Sequence, residues 1–407
     1  MIKTISTEQL KPGMYIHELN CSWMKHPFTR NQFTITEKKD IKKVHDIGIK
    51  SLKIDTSKGL DIRKITSEEH SDSVISSKEQ PSEQRRSDSS LIKKGTKKNL
   101  QQIRKKAKDI KSLAVDAISN IMKDVKLGQQ VELEQVNPVI DKMSESVLEN
   151  HNALLGLSRI RSMDTYTFEH SVNIGVLMMS FCKSRGMSEQ VIHEVGVGGL
   201  LHDIGKALTP PEILNKPGQL TDEEFIIMRH HVVDSHKILT NTPGISQNAL
   251  DVAALHHEKY DGSGYPDRKK RDEISLIGQM SAIVDVYDAL TADRCYHNGQ
   301  NPSVVLKRML SWTGSHFNPS LTQEFIYCVG IYPPATLVML SNHYLAVVTE
   351  NNNNLLAPSV VLFLNTKTRE TIEPTFIDLS RQEKLKIISS ESDHKWKVDP
   401  QKYLDIF

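Results

Sequence analysis

The sequence predicts a multidomain protein: a central all-α helical bundle, a small α/β or β N-terminal domain and a small β C-terminal extension. A length of 407 residues suits two or three domains. Apolar residues recur at helical spacing from about residue 112 to 330, whereas Val/Leu/Thr-rich runs fill residues 335–377. We therefore assign an N-terminal domain (1–65), a linker (66–95), connecting helices (96–148), the central domain (149–332) and the extension (333–407).

The N-terminal domain and the linker differ in composition. Residues 1–65 alternate short apolar runs with turn residues, as small α/β or β domains do. Nine of the 25 residues in 66–90 are serine, and only Val74 and Ile75 are aliphatic. Such a segment buries too little apolar surface to offset its ordering entropy, so we predict a disordered linker.

Lysines and arginines dominate the segment after the linker. Lys93–Lys111 carries nine basic residues against one aspartate. The simpler interpretation is the solvated face of a connecting helix, and the alternative is a patch that attracts anionic partners.

Composition argues against several classes of protein. A net charge of +2 gives no general attraction to duplex nucleic acid or to a membrane surface. No signal-peptide pattern opens the chain, and no apolar run approaches the roughly 18 residues of a membrane span. The four cysteines form no CxxC pair, which favours reduced thiols. We expect a cytoplasmic protein.

Histidines cluster in the central domain. Eight of the chain's 17 histidines lie within residues 170–257. A single clustered histidine is usually a core or surface residue, but several on successive helices beside carboxylates point to a metal site. Imidazole with carboxylate is the ligand set of catalytic Zn, Fe and Mn centres. The eight are His170, His193, His202, His230, His231, His236, His256 and His257.

His202 and Asp203 follow the buried-helix pattern Val-Gly-Val-Gly-Gly-Leu-Leu. A buried aspartate beside a buried histidine is costly unless something pairs with both, and a metal ion would. Lys206 shares their face, where it could contact a phosphate or the nucleophile. The alternative for Lys206 is a cation that stabilises a helix C-terminus.

Two further segments carry candidate groups. The string His256-His257-Glu-Lys-Tyr-Asp-Gly-Ser-Gly-Tyr-Pro266 ends a helix and continues as a glycine-containing loop. Asp285 and Asp288 lie three residues apart on an apolar helix, so they share a face. One could be a metal ligand and the other could orient a ligand.

These three segments, in this order, strongly resemble the HD-GYP subgroup of the HD-domain phosphohydrolases. The resemblance covers about residues 150–330 and implies an all-helical HD domain with two or three metal ions. It implies hydrolysis of cyclic di-GMP to linear pGpG, possibly on to GMP, with 3′3′-cyclic GMP-AMP as the alternative substrate. Residues 1–65 resemble the small domain of unknown function that often precedes this domain.

The resemblance also implies a role for each matching residue. His170 begins a "His-Ser-Val-Asn" motif, and His230 is the solvent-side neighbour of a ligand. The implied metal ligands are His170, His202, Asp203, His231, His256, His257 and Asp285, with Asp203 bridging. Asp203 and Lys206 are the implied catalytic residues, and Lys206 and Arg294 the implied phosphate contacts. The Gly-Tyr-Pro loop comprises Asp261, Gly262, Gly264, Tyr265 and Pro266.

Three departures from the family pattern modify these expectations. Tyr166 stands where members with three metals carry glutamate, so we expect two divalent ions, Fe, Mn or similar. Cys295 and His297 replace a proline and a basic residue, which predicts a weaker or pH-dependent phosphate grip. Ser235 replaces a common glycine, a change we expect to be tolerated.

Two other function classes stay open at this stage. One is a degenerate receptor that binds a cyclic dinucleotide, or a protein partner, without cleaving it. The other is a generic HD phosphatase or nucleotidase acting on mononucleotides, although such enzymes lack the Gly-Tyr-Pro loop. The resemblance implies partners of the GGDEF diguanylate cyclase type, bound through that loop. The sequence also leaves open whether the protein forms a homodimer.

Overall fold

The computed structural model describes residues 2–19, 33–37, 41–42, 44–45, 49, 51–60, 89–158, 166–292, 299–404 and 406. The chain divides into two compact units, Met1–Lys94 and Gly95–Phe407. No helix in these ranges is both long enough and apolar enough to cross a membrane.

The N-terminal unit contains a four-stranded antiparallel sheet in the order β1-β4-β2-β3. Its strands are β1 (Ile2–Ser6), β2 (Tyr15–Glu18), β3 (Phe33–Thr34) and β4 (Ser51–Asp55). Alternate residues of these strands, including Ile5, Ile16, Leu52 and Ile54, form a buried apolar cluster. The predicted small N-terminal domain with a sheet is therefore confirmed.

Between Ser89 and Val329, the described residues form eleven helices. They are α1 (Ser89–Lys126), α2 (Leu133–Ser158), α3 (Tyr166–Ser184), α4 (Glu189–Leu201), α5 (Pro211–Leu214), α6 (Asp222–Arg229), α7 (His231–Thr240), α8 (Gln247–Leu255), α9 (Leu276–Thr291), α10 (Pro302–Ser311) and α11 (Pro319–Val329). Short 3₁₀ helices span Ile204–Leu208 and Arg271–Glu273. The predicted helical central domain is confirmed.

Helix α1 begins at Ser89, inside the segment predicted to be a linker over 66–95. Most of that prediction, residues 66–88, lies outside the described residues. Residues further along α1 pack and form a stable helix. Extending that helix backwards through lysines costs little free energy, because adding a residue to an existing helix is far easier than starting a new one. The last seven residues of the predicted linker are therefore helical.

Close packing of α3 against α4 positions the first candidate ligands. A Cβ atom added to Gly199 would lie 2.6 Å from the Cα of Gly175, so the two helices approach at backbone distance. His170 lies on α3 and His202 follows the last residue of α4. Small residues at the crossing thus bring the two histidines together.

The sequence predicts one helix from the Thr221–Glu224 capping box through Ile238, and this prediction is wrong in one respect. The capping box is present, but the helix breaks at His230 into α6 and α7. No residue of α6 is buried, whereas α7 buries His231, Val232 and Leu239. Because α6 has no core contact to hold it in line, the two helices can diverge.

A five-stranded antiparallel sheet forms the C-terminal region, in the order β8-β7-β6-β5-β9. The strands are β5 (Leu337–Leu340), β6 (Tyr344–Glu350), β7 (Ser359–Asn365), β8 (Thr371–Asp378) and β9 (Ile387–Ser390), followed by α12 (Asp393–Trp396) and α13 (Pro400–Leu404). Both faces of the sheet carry apolar clusters. The predicted β extension is confirmed.

Candidate metal centre

Seven side chains from five helices and the turns beside them converge in the helical region. Helix ends carry most of them, so neighbouring backbone groups remain available to orient the rings. Six are buried, and the seventh, His257, is 24% exposed, which places it at the mouth of the cluster. They are His170, His202, Asp203, His231, His256, His257 and Asp285.

Asp203 lies at the centre of the cluster, with imidazole nitrogens near both of its carboxylate oxygens. Its Oδ1 is 3.2 Å from His231 Nε2 and 3.8 Å from His256 Nε2. Its Oδ2 is 3.2 Å from His202 Nε2 and 3.6 Å from His170 Nε2. One carboxylate therefore faces two separate pairs of rings.

The remaining donors form two groups of three, one on each side of Asp203. Within each group the candidate ligand atoms lie within 4.8 Å of one another. The first group comprises His231, His256 and His257, and the second comprises His170, His202 and Asp285.

Backbone carbonyls fix the orientation of three rings. The Nδ1–H of His202 donates to Gly199 O (2.8 Å), that of His231 to Met228 O (2.6 Å) and that of His256 to Ala253 O (2.9 Å). Since a carbonyl can only accept, each ring presents its Nε2 lone pair to the cluster.

Several of these buried atoms have no hydrogen-bond partner. They are the Nε2 atoms of His202, His231 and His256, and Oδ1 of Asp203. Burying unpaired acceptors is costly, and cations held by the two donor groups and Asp203 would satisfy these atoms. The donor set, imidazole nitrogens with carboxylate oxygens, fits a divalent metal ion such as Fe, Mn or Zn.

The protonation states of Asp203, His256 and His257 also suit metal binding. Burial opposes ionisation of Asp203, but His202 and Lys206 outweigh it and hold the pKa of that carboxyl well below its usual value. Burial lowers the pKa of His256 well below its usual value and that of His257 to about 3. An ionised carboxylate and neutral imidazoles are the forms that bind metals.

Asp288 approaches His170 from the side away from the cluster. The His170 Nδ1–H donates to Asp288 Oδ2 at 2.6 Å, while His170 Nε2 lies 3.3 Å from Asp285 Oδ1. Burial lowers the pKa of His170, but the two carboxylates outweigh burial and raise it. The helix face shared by the two aspartates thus places Asp285 in the cluster and Asp288 behind the ring.

Lys206 and Ser235 lie beside Asp203. Lys206 Nζ contacts Asp203 Oδ2, and 21% of the lysine side chain is exposed. Ser235 is buried, and its Oγ accepts the Gly205 N–H at 2.9 Å. The serine therefore joins α7 to the turn that carries Asp203 and Lys206.

The Gly-Tyr-Pro loop folds back over His257. The Tyr265 N–H donates to His257 O at 3.2 Å, and the two rings lie 4.7 Å apart between centroids. Gly262 has φ +83°, and a Cβ on Gly264 would meet Lys259 N at 2.4 Å, so both positions need glycine. Asp261 Oδ1 accepts the Ser263 N–H at 2.8 Å, and the exposed Pro266 follows a cis bond.

Comparisons with known proteins decide the family. The family model of the HD domain matches residues 142–321, and that of a domain of unknown function (DUF3391) matches residues 2–136. A cyclic di-GMP phosphodiesterase of Pseudomonas aeruginosa is 34% identical over 400 residues, which are 97% of this chain and 94% of that protein. The chain belongs to the HD-GYP phosphodiesterases.

Shorter matches to HD-GYP relatives fall on part of the chain. A cyclic di-GMP phosphodiesterase of Thermotoga maritima is 37% identical over 172 residues, 42% of this chain and 46% of that protein. A 3′3′-cGAMP-specific phosphodiesterase of Vibrio cholerae is 34% identical over 191 residues, 47% of this chain and 36% of that protein. Relatives of this HD-GYP protein thus act on two different cyclic dinucleotides.

Among residues implicated by the HD-GYP resemblance, one lies outside the cluster and others lie outside the described residues. The His230 side chain is 64% exposed, and its Nδ1 lies 3.0 Å from Asp234 Oδ2. It therefore lies on the solvent side of His231, as predicted. Arg294, with Cys295 and His297, lies outside the described residues, and so does the side chain of Tyr166. The predicted phosphate contact of Arg294 therefore stays a prediction.

Two residues of this HD-GYP site did not figure among the predicted site residues. Glu258 is buried, and its Oε1 accepts the Asp267 N–H at 2.8 Å, which fixes the loop after His257. Its position beside the two histidines was the only signal in the sequence. Arg229 lies against Tyr265, and its position two residues before His231 was its only signal in the sequence.

Proposed function

We propose that this chain hydrolyses a phosphodiester bond of cyclic di-GMP to give linear pGpG, using two divalent metal ions. The observation that carries the proposal is the arrangement of two three-residue donor groups on either side of Asp203. Each group would hold one ion, and Asp203 would bridge the two. When bound, such ions activate water and offset charge on a phosphoryl group.

The chain's own residues have separate tasks in this proposal. Carbonyl-bound rings keep the Nε2 lone pairs aimed inward, and Asp288 does so for His170. The Lys206 ammonium, partly exposed beside Asp203, would donate to a non-bridging oxygen of the phosphate being cleaved. Tyr265 packs beside the ring of His257 at the mouth of the cluster.

A second substrate, 3′3′-cyclic GMP-AMP, is a candidate because relatives named for that specificity match part of this chain. The two substrates present the same phosphates and differ in one base. A direct comparison of their rates would identify the preferred one. A GGDEF-type partner for the Gly-Tyr-Pro loop and a homodimer stay predictions.

The test is substitution of the bridging carboxylate. Asp203→Asn keeps the side-chain volume but removes the charge, so we expect loss of stoichiometric metal and of turnover of both cyclic dinucleotides. Metal is measured by mass spectrometry of dialysed protein and products by chromatography, after loading with Mn or Fe. Asp234→Asn, on the exposed His230 pair, is the matched control and should behave as wild type.

The contrary results are specific. Wild-type turnover by Asp203→Asn would place the site elsewhere. A wild-type protein that holds two metal ions and binds cyclic di-GMP but never opens it would be a receptor.

A further inference from the structure

Arg229 is an arginine at the edge of the metal cluster that has no anionic partner among the described residues. It ends α6, two residues before His231. Its guanidinium carbon lies 4.3 Å from the Tyr265 ring centroid and 5.5 Å from that of Phe225. A cation held against aromatic rings keeps its charge and uses none of its N–H donors.

The same tyrosine connects Arg229 to the cluster. Tyr265 contacts Arg229 and also the ring of His257, with 4.7 Å between the tyrosine and histidine centroids and 33° between their planes. Arg229 is therefore one aromatic ring away from the most exposed of the candidate ligands. No described residue accepts from its N–H donors, which lie near the mouth formed by His257 and Tyr265.

Arg229 is not part of a packed core. Helix α6 buries none of its residues, and Phe225 and Ile226 are 44% and 66% exposed. Arg229 covers part of two aromatic rings, but it pairs with no carboxylate among the described residues. Cation–π contacts instead fix the position of the charge without neutralising it.

The substrate supplies the missing anion, and here the argument rests on the proposed function. A cyclic dinucleotide carries two phosphodiester groups, and the metal cluster with Lys206 serves the one that is cleaved. We propose that Arg229 binds the other, non-reacting phosphate, through paired N–H donors of the kind that favour arginine at phosphate sites. Arg229 would then favour cyclic dinucleotides over esters with a single phosphate.

The experiment compares ligands with two phosphates and with one. In Arg229→Met we expect KM for cyclic di-GMP to rise about 10- to 100-fold and kcat to change by less than about twofold, because a charge-assisted contact to an unchanging group is lost. The inhibition constant of GpG, which has a single phosphodiester, should stay within about twofold. Arg229→Lys should restore part of the loss.

Arg369 offers a matched control. Its guanidinium carbon lies 4.7 Å from the Trp396 ring centroid in the C-terminal region, so Arg369→Met removes the same charge and the same kind of contact. This variant should leave KM, kcat and metal content at wild-type values. Any general effect of lost charge on substrate encounter would appear in both variants.

Two results would overturn the assignment. Equal weakening of cyclic di-GMP and GpG, or a fall in kcat together with metal content, would mean that Arg229 only supports His257 through Tyr265. Failure of metal-loaded wild-type protein to cleave any cyclic dinucleotide would refute the proposed function, and with it the role of Arg229. Failure of the Arg229 assignment is seen in the variant, whereas failure of the proposed function is seen in wild-type protein.

Discussion

His170 is contacted by two carboxylates from one helix, and they have different tasks. Asp285 lies on the side of the ring that faces the cluster, whereas Asp288 accepts the Nδ1–H. The carboxylate behind a ligating histidine fixes its orientation and raises its basicity. The spacing of Asp285 and Asp288 on one helix face does not by itself show which of them has which task.

Loss of the carboxylate behind His170 should weaken metal binding. For Asp288→Asn we expect metal affinity to fall about 10- to 100-fold without unfolding. Competition with a fluorescent chelator measures the affinity, and circular dichroism the fold. The control is Asp234→Asn, which alters a histidine–aspartate pair that is exposed. An unchanged affinity in Asp288→Asn would show that Asp288 does not support a ligand.

Cys182 and Cys328 are buried free thiols, as the cysteine pattern predicts, while Cys21 and Cys295 lie outside the described residues. Burial raises the pKa of each thiol to about 12. An ordinary thiol with pKa about 8.5 becomes far more reactive between pH 7 and 9, because its thiolate fraction rises.

These two thiols should not show that increase. We expect no alkylation of Cys182 or Cys328 by iodoacetamide in native protein at pH 7 or pH 9, and full alkylation in denaturant. Peptide mapping by mass spectrometry reads both. Native labelling that rises with pH as for a free thiol would show that the sites are exposed.

At the scale of elements, the turn after α4 depends on a backbone contact with α7. A Cβ on Gly205 would lie 2.2 Å from His231 O and 2.6 Å from Ser235 N, both rigid backbone atoms. The 3₁₀ turn that carries Asp203 and Lys206 is thus held directly against the start of α7.

Gly205→Ala should therefore damage both stability and the metal site. Forcing a methyl group into that contact should lower the free energy of unfolding by about 1–3 kcal/mol and displace His231 from Asp203, lowering metal content. Gly156→Ala is the control, because its nearest contact is an ordinary 3.5 Å to Pro334 and alanine suits a helix interior. Urea titration and metal analysis compare the two. Equal stability of both variants would contradict the contact.

Element boundaries show where sequence reasoning succeeds. Capping boxes and glycines are local signals. The Thr221–Glu224 capping box predicts the start of α6, and Gly186 predicts a break between two helices, and the structure has both. The break at His230 depends on the tertiary contacts of α6 and α7, which no local sequence signal specifies. The N-terminal start of α1 likewise depends on the residues that follow it.

At the scale of the whole molecule, the chain's end is anchored on the helical region. Arg104 of α1 donates to Leu404 O, and Gln101 Nε2 donates to Ile406 O at 3.0 Å. Leu404 is 4% exposed and belongs to one apolar cluster of the C-terminal sheet. The sheet, α13 and α1 are therefore one packed assembly.

Truncating this anchor should cost stability. We expect Leu404→Ala to lower the free energy of unfolding by about 2–5 kcal/mol, through lost burial and a cavity. Leu127→Ala, at a leucine that is 76% exposed, should change it by less than about 0.5 kcal/mol. Thermal or urea unfolding measures both. A Leu404→Ala protein as stable as wild type would show that the C-terminal helix does not dock.

By itself, the sequence determined the fold class and the composition of the site. The strings around His202, His256 and Asp285 carry enough chemistry to identify the donors, since each motif is local. Tertiary structure alone decided that Asp288 accepts the Nδ1–H of His170, which donors share one side of Asp203, and that Arg229 lies beside Tyr265. Those facts depend on the directions of side chains from helices far apart in the chain, and only packing sets those directions.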